Sequence, residues 1–354
     1  MTQMENIIAE VTRRIFRDLG DPQTLNGAAD GRWRTPLWRA LEESALTKAW
    51  VPEPLDGAGA RIADGFEILR IAGGFAVALP LAETLLAGWL LSRAGLRVPR
   101  GMLSVAPVRA GEGLELGDDG RLSGFAASVP FARDVEHLAV VARRGKKAVI
   151  ALVARAHCTL QPGSSIAGEP RDDVTLENVV PVSSAGAPPE FRDDALMLMG
   201  AAVRAAQMSG ALQSILDRSV AYAKERVAFG RPIGGFQAIQ HNLARLAGES
   251  AAALAAAGSA ADAIDSARAF DEAVFLEIAS AKIRVGEAAE TAAAIAHQVH
   301  GAIGYSSEHV LHRYTTRLWA WRDDFGGESA WAVRLGAAMA QRGAEALWPT
   351  LAAR

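Results

Sequence analysis

A single cysteine, Cys158, stands in 354 residues, so the chain forms no internal disulfide and cannot build a thiolate metal site by itself. So little cysteine fits a reducing, cytoplasmic compartment. A dominant charge sign is also missing. The 37 Lys and Arg are offset by 40 Asp and Glu, leaving a net charge of −3 with no basic stripe, which argues against a nucleic-acid partner. No long apolar run is uninterrupted. The most apolar stretch, Ile71 to Leu91, carries Pro80 and Glu83 in its interior, whereas a membrane span needs about 18 or more continuous apolar residues. The opening residues, MTQMENIIAEVTRRIF, alternate charged and apolar groups at helical spacing and lack the apolar core of a signal peptide. What the chain has in quantity is apolar: 50% of its residues, enough for a large core in two or three packed units and too much for a disordered chain.

Texture divides the chain into 1–100, 101–190 and 191–354. The first segment reads as helices, with apolar residues at three and four spacing in IIAEVTRRIF, TPLWRALEESAL and DGFEILRIAGGFAVAL. Thr35-Pro36 reads as an N-cap followed by proline at the first helical position, and VPEPLDGAGARIADG as a loop. The middle segment reads as strands. HLAVVAR and AVIALVA flank the turn RRGKK, GLELGDDGRLSG forms a hairpin turning at Asp119-Gly120, and DVTLENVVPV adds a further strand. A small antiparallel barrel or sandwich fits. The last segment is nearly free of proline and reads as long helices over about 195–225, 236–263, 269–300, 306–319 and 329–346, an up-and-down bundle. The fold class is therefore mostly α with a central β-domain.

Two glycine turns that end long helices carry the chemistry. The first runs Glu225-Arg226-Val227-Ala228-Phe229-Gly230-Arg231-Pro232-Ile233-Gly234-Gly235-Phe236-Gln237. An Arg there can complement a helix end, or grip a phosphate through its planar fork; Phe can pack on a flat ring, and Gln can donate and accept. The second runs Gln298-Val299-His300-Gly301-Ala302-Ile303-Gly304-Tyr305. Its small residues permit close approach to backbone N–H groups that can bind anionic oxygen, although a plain helix C-cap has the same appearance. His300, His309 and His312 lie near one another in sequence but lack further ligands at zinc spacing. Trp319, Trp321 and Trp331 suit core packing or a broad pocket wall, and Ser104 has no nucleophile-elbow context.

Taken together, RxxFGxPIxxFQxxQ followed some sixty residues later by QxHGxxGYxxEHxLxRY resembles the C-terminal domain of acyl-CoA dehydrogenases. PEPLDGAG and the ADGFEILRIAGGFAVALPLAETLLAGWLLSRAG stretch resemble the helical domain of shorter bacterial members, so the resemblance spans nearly the whole chain. It implies three domains: an N-terminal helical domain, a β-barrel-like domain and a C-terminal four-helix bundle. The implied activity is FAD-dependent oxidation of an acyl-CoA to its 2,3-enoyl form, with a carboxylate taking the α-proton, the flavin N5 taking the β-hydride, and an electron-transfer partner downstream. Arg226, Phe229 and Gln237 match positions that hold the diphosphate and adenosine side of FAD. Gln298 and the backbone of His300, Gly301 and Ala302 match a second diphosphate contact, and in the family these residues reach the neighbouring subunit's FAD.

Departures from the family concern the base and the flavin ring. Counting from Gln298, the usual glutamate position falls on Phe325, with Asp324 one residue away and Glu328 three. A second family position for the base falls on Gly200 and Ala201, with Asp193-Asp194 upstream reading as a helix cap. The flavin-contacting runs are replaced by Leu103 to Val108 and by Ser128 to Pro130. Three readings stay open. The first is a base-lacking subunit pairing with a longer homologous chain in a heterotetramer, like the short chains of steroid side-chain degradation. The second is a self-sufficient enzyme using Asp324 as base, and the third a structural subunit without flavin.

Overall fold

The computed structural model describes residues 3–26, 31–107 and 112–352. Met1, Thr2 and Val108, which entered the readings above, lie outside the described residues.

Five helices come first: α1 (Gln3–Leu19), α2 (Pro22–Asn26), α3 (Arg34–Glu43), α4 (Ile62–Gly73) and α5 (Leu81–Arg93). Helix α3 starts one residue before Thr35, so Thr35 is not its cap; Trp33 takes that place and makes no side-chain cap. Pro36 still sits in the first turn, where its missing N–H removes no helical bond. Helix α4 begins inside the expected loop because the Asp64 carboxylate accepts the Arg61 N–H at 3.2 Å and closes the first turn.

Eight strands follow: β1 (Leu103–Ala106), β2 (Gly113–Leu116), β3 (Leu122–Pro130), β4 (His137–Arg144), β5 (Lys147–Ala154), β6 (Thr159–Gln161), β7 (Arg171–Val179) and β8 (Ser183–Gly186). They form one sheet in the order β6-β7-β3-β2-β4-β5-β8, with β1 beside β4. The purely antiparallel expectation is corrected: β1 and β2 both pair with β4 in parallel. The connection through β3 is long enough to bring the chain back in the same direction. The β4–β5 hairpin is as read, closed by Gly145-Lys146 with Gly145 at φ +59°. In the β2–β3 hairpin the turn centres on Asp118-Asp119, and Gly120 closes it at φ +78°, because Leu116 pairs with Leu122 and leaves five residues between.

The last segment holds α6 (Ala195–Glu225), the two-stranded tip β9 (Val227–Ala228) and β10 (Arg231–Pro232), α7 (Gln237–Ser266), α8 (Glu272–His300), the short α9 (Ala302–Tyr305), α10 (Leu311–Asp323), α11 (Glu328–Arg342) and α12 (Ala344–Ala352). Its long helices fall within about five residues of the expected ranges, with the short α9 and α12 added. Asp194 occupies the N-cap position of α6 but makes no cap bond; its carboxylate is drawn to Arg192 and Arg334 instead, and Asp193 pairs with Arg143.

Helix α6 is the spine of the molecule. Among the described residues it alone is long and apolar enough to cross a bilayer, yet nearly all of that stretch is buried inside the fold. It packs against α4, α7, α8 and α10. Its crossing with α4 is made by glycines. A Cβ on Gly210 would overlap the Arg70 carbonyl, and one on Gly73 would overlap the Gln207 carbonyl. Helical propensity alone makes Gly→Ala favourable by about 1 kcal/mol. Gly210→Ala is expected to invert that sign and lower stability by about 1–3 kcal/mol in urea unfolding; a variant more stable than the parent would show that the crossing is loose.

Candidate functional site

Helices α6 and α8 run in the same direction, since α7 returns between them, so both glycine turns lie at one end of the bundle. The Tyr222 ring, one turn before Arg226, stacks on the His300 ring at 4.6 Å between centroids. This end is open. Arg226 is exposed, and no described carboxylate pairs with it. Phe229 projects from the β9–β10 tip at φ +52° and is 94% exposed. Such a left-handed conformation is uncommon for a bulky residue and is what turns its ring outward. Arg231 lies 4.2 Å from the centre of the Phe236 ring, which makes an edge contact with Phe229 at 6.1 Å. Gln237 opens α7 and Gln298 lies on the last turn of α8, both exposed. Gly301, at φ +65° and ψ −146°, ends α8, and Ala302 starts the next turn; a Cβ on Gly301 would meet nothing within 4 Å.

His300 is instead buried. Its Nδ1 faces the Ala296 carbonyl at 2.8 Å, so Nδ1 carries the proton and Nε2 is left as an acceptor without a described partner. His309 lies 4.8 Å from its ring. Burial, with His300, Arg218, His312 and His297 nearby, pushes His309 down to about 4, and burial also lowers His297 and His300. Among the described residues no group of His, Cys, Asp or Glu is arranged to hold a metal.

The two stations expected for a base lie against each other. The Phe325 ring rests on Gly200, where a Cβ would overlap it. Phe325 is buried and held at φ +55°; its carbonyl accepts from Trp331 Nε1 at 3.0 Å, and the Arg204 guanidinium lies 5.8 Å from its ring centre. Trp321 and Trp331 are core residues, while Trp319 reaches the surface.

Asp324 belongs to a buried chain of charges. Its Oδ1 accepts from Arg171 Nε at 3.2 Å, and its Oδ2 from Arg171 Nη2 at 2.8 Å and Arg204 Nε at 3.0 Å. Arg204 also binds Glu83 and Gln207, while Arg171 binds Glu169, which in turn takes Arg317 at 2.9 Å. The order is Glu83–Arg204–Asp324–Arg171–Glu169–Arg317, three acids alternating with three bases. Burial acts to raise the Asp324 pKa, but Arg171 and Arg204 more than offset it and hold the carboxyl below its ordinary value. A base pinned on both oxygens and tuned away from neutrality is poorly matched to proton abstraction. Nearby, Lys282 Nζ donates to the carbonyls of Trp321 and Arg322 at 3.1 and 2.6 Å, and burial pushes it down to about 7.

The stretch replacing the flavin-contacting runs is also occupied. Ser104 Oγ donates to the Pro130 carbonyl, and the Ser128 N–H donates to Asp173 Oδ1 at 2.8 Å. Sequence reading did not find Glu83, Arg171, Arg204, Glu169, Arg317 or Lys282 as a group. One signal was there: Arg204 is the single charged residue between Ala195 and Leu216, and a lone charge in an apolar helix needs a buried partner.

Residues 194–322 match the family described as acyl-CoA dehydrogenase, C-terminal domain. The chain is 32% identical over 291 residues, 82% of each chain, to acyl-CoA dehydrogenase IpdE2 of Mycobacterium tuberculosis (strain ATCC 25618 / H37Rv). Among solved structures it is similar to a chain of the ChsE4-ChsE5 complex from Mycobacterium tuberculosis, with a TM-score of 0.84 and 23% identity over 96% of this chain and 98% of that one. It is also similar to the steroid ACAD Tcur3481-Tcur3483, with a TM-score of 0.84 and 25% identity over 97% of this chain and 99% of that one.

The histidines give a pH expectation. With its folded pKa below the unfolded value, His309 binds fewer protons in the folded chain, so stability falls as pH drops from about 6.5 towards 4. His309→Gln is expected to flatten the fall of Tm across that window; an unchanged slope would remove the cluster from the acid response.

Proposed function

This chain belongs to the acyl-CoA dehydrogenase family, and from that premise we propose that it takes part in FAD-dependent α,β-dehydrogenation of an acyl-CoA thioester as one subunit of a hetero-oligomer. In this reading it lends its diphosphate-binding turns to a flavin shared with a homologous, base-bearing chain. One observation carries the reading: the end expected to meet the diphosphate is open, while the expected base position is plugged by Phe325 on Gly200.

The residues present fit the diphosphate half of FAD. Arg226 offers a guanidinium without a described partner, Gly301 a backbone with free space over it, and Phe229 an uncovered ring. Arg226 would bind a phosphate oxygen through its fork, Gln237 and Gln298 would bracket the diphosphate, and the Gly301–Ala302 backbone would let it approach closely. Phe229 would pack on a flat ring. His300, buried under the second turn, would hold that turn in place. FAD, when bound, supplies the hydride acceptor. The same fit is absent on the flavin-ring side of this chain, where the Ser104 hydroxyl and the Ser128 backbone N–H are already bonded within the protein.

Asp324 has a structural role in this reading, as the centre of the ion chain. Relatives that include a two-protein complex and a steroid ACAD support a heterotetramer and a bulky, steroid-type thioester as substrate. Electrons would leave the flavin for a separate carrier, the compartment is the cytoplasm, and 1–100, 101–190 and 191–354 are the three structural units.

Co-expression with a longer homologous chain tests the reading. The expected result is colourless protein alone and yellow, active protein in the complex, with Arg226→Ala lowering flavin retention about tenfold or more. Full flavin retention in that variant would sink the diphosphate role. In the same complex Asp324→Asn is expected to lower Tm and leave turnover per flavin within about twofold. A loss of about 100-fold with unchanged Tm would favour Asp324 as base.

A further inference from the structure

We propose that His300 takes up a proton at Nε2 when a dinucleotide's diphosphate binds at the second glycine turn, so that this chain binds flavin together with a proton. The proposal deepens the diphosphate reading above and rests on it.

Three rings tie the two turns together from below. Tyr222 lies one turn before Arg226, at the end of α6, and His300 immediately precedes Gly301, at the end of α8. Their rings stack at 4.6 Å with 27° between the planes. The His309 ring, from the loop before α10, lies 4.8 Å from that of His300 and 6.4 Å from that of Tyr222. A charge on His300 therefore sits between the two stations expected to meet the diphosphate. Tyr222 gives an imidazolium an aromatic face to rest on.

Hydrogen bonds decide which ring can take the proton. His300 Nδ1 is spent on the Ala296 carbonyl at 2.8 Å, while Nε2 is buried without a described partner. A proton added at Nε2 breaks nothing. In His309 the Nδ1 accepts the Leu311 N–H at 3.2 Å, so a proton there displaces a bond. His312 Nδ1 faces the His309 carbonyl at 2.7 Å. His297 lies a turn before Gly301, with its ring covered by Tyr305 at 4.3 Å and its Nε2 held by Thr315 at 3.1 Å.

In the flavin-free chain the surroundings oppose that proton. The cluster is faced by Arg218 and Tyr222 from α6, His297 from α8, Tyr305 from α9, His309 from the loop and His312 from α10. Glu308, beside His309, and His241 on α7 are exposed. No described carboxylate acts on the three buried rings; their charged neighbours are Arg218 and one another. Burial, with Arg218 adding to it, holds His300 below its ordinary value against the opposing effect of the Ala296 bond. An anionic diphosphate on the Gly301–Ala302 backbone would be the first negative group to meet this cluster. Opposite charge nearby favours the protonated imidazole. By linkage, a ligand that raises the His300 pKa is bound more tightly as pH falls, and that gain is lost as pH rises.

Calorimetric titration of FAD into the flavin-stripped complex with the longer chain, in two buffers of different protonation enthalpy, counts the protons. Uptake of about 0.5–1 proton per FAD is expected near pH 6, with affinity rising severalfold, at most about tenfold, as pH falls from about 7 to about 6. His300→Phe keeps a ring against Tyr222 but cannot titrate, so it should bind FAD with no uptake and a flat pH profile. His300→Gln should read the same where the phenylalanine disturbs assembly. His309→Gln should retain the uptake, which places the proton on His300. A purely structural His300 would change affinity equally at every pH. Uptake that survives both His300 substitutions, or that disappears in folded His309→Gln, overturns the assignment. Proton-free FAD binding by the parent complex refutes this inference alone. Proton-coupled FAD binding by this chain without a partner refutes the subunit reading alone, and a complex that binds no FAD refutes both.

Discussion

The alternation of charge from Glu83 through Arg204, Asp324, Arg171 and Glu169 to Arg317 is the constraint on which the rest of the structure turns. Its members come from α5, α6, the loop after α10, the start of β7, the residues before β7, and α10. One line of ion pairs thus ties the first helices, the sheet and the bundle together. Three acids against three bases leave no net charge in a region of low dielectric. Each interior member has an opposite charge on both sides, which is the condition for tolerating burial. Removing any one of them would strand its neighbours at a cost of about 3–5 kcal/mol.

Lys282 lies just outside this line and completes it differently. With its charge disfavoured by burial, it spends its hydrogens on two carbonyls at the C-terminal end of α10. Those carbonyls are the orphan acceptors of a helix end. By satisfying them Lys282 fixes where α10 stops, and so fixes the loop that carries Asp324 and Phe325. Around this loop the interior is closed, whereas the opposite ends of α6 and α8 are left bare. At those ends Phe229 and, at 73%, Tyr305 are exposed, the latter with its ring stacked on His297.

Much of this was legible in the residues. Helix ranges followed from apolar spacing, and the β4–β5 hairpin from two apolar runs around a glycine turn, because local periodicity determines both. The parallel placement of β1 and β2 beside β4 was not legible, since strand direction depends on a crossover that leaves no local pattern. Thr35 and Asp194 look like helix caps by residue type. The structure starts α3 before the first and draws the second to arginines, both outcomes decided by neighbours distant in sequence. At the site, the glycine turns could be located by motif, and counting placed Phe325 and Gly200 at the two base positions. That the two would touch was invisible, because 125 residues separate them. The ion chain was hidden for the same reason. Glu83 first registered only as an interruption in an apolar run, and its partner Arg204 lies 121 residues away.

The seating of Phe325 on Gly200 also bears on how such a chain can change. Any side chain at position 200 must evict the aromatic ring. The ring is continuous in sequence with Asp324, so eviction pulls at the paired charges and at the cohesion of the whole molecule. Acquiring a carboxylate at either station therefore demands several coordinated replacements, each harmful until the others arrive. Once established, the packing acts as a ratchet: a chain carrying it regains a carboxylate at position 200 or 325 only by passing through less stable intermediates.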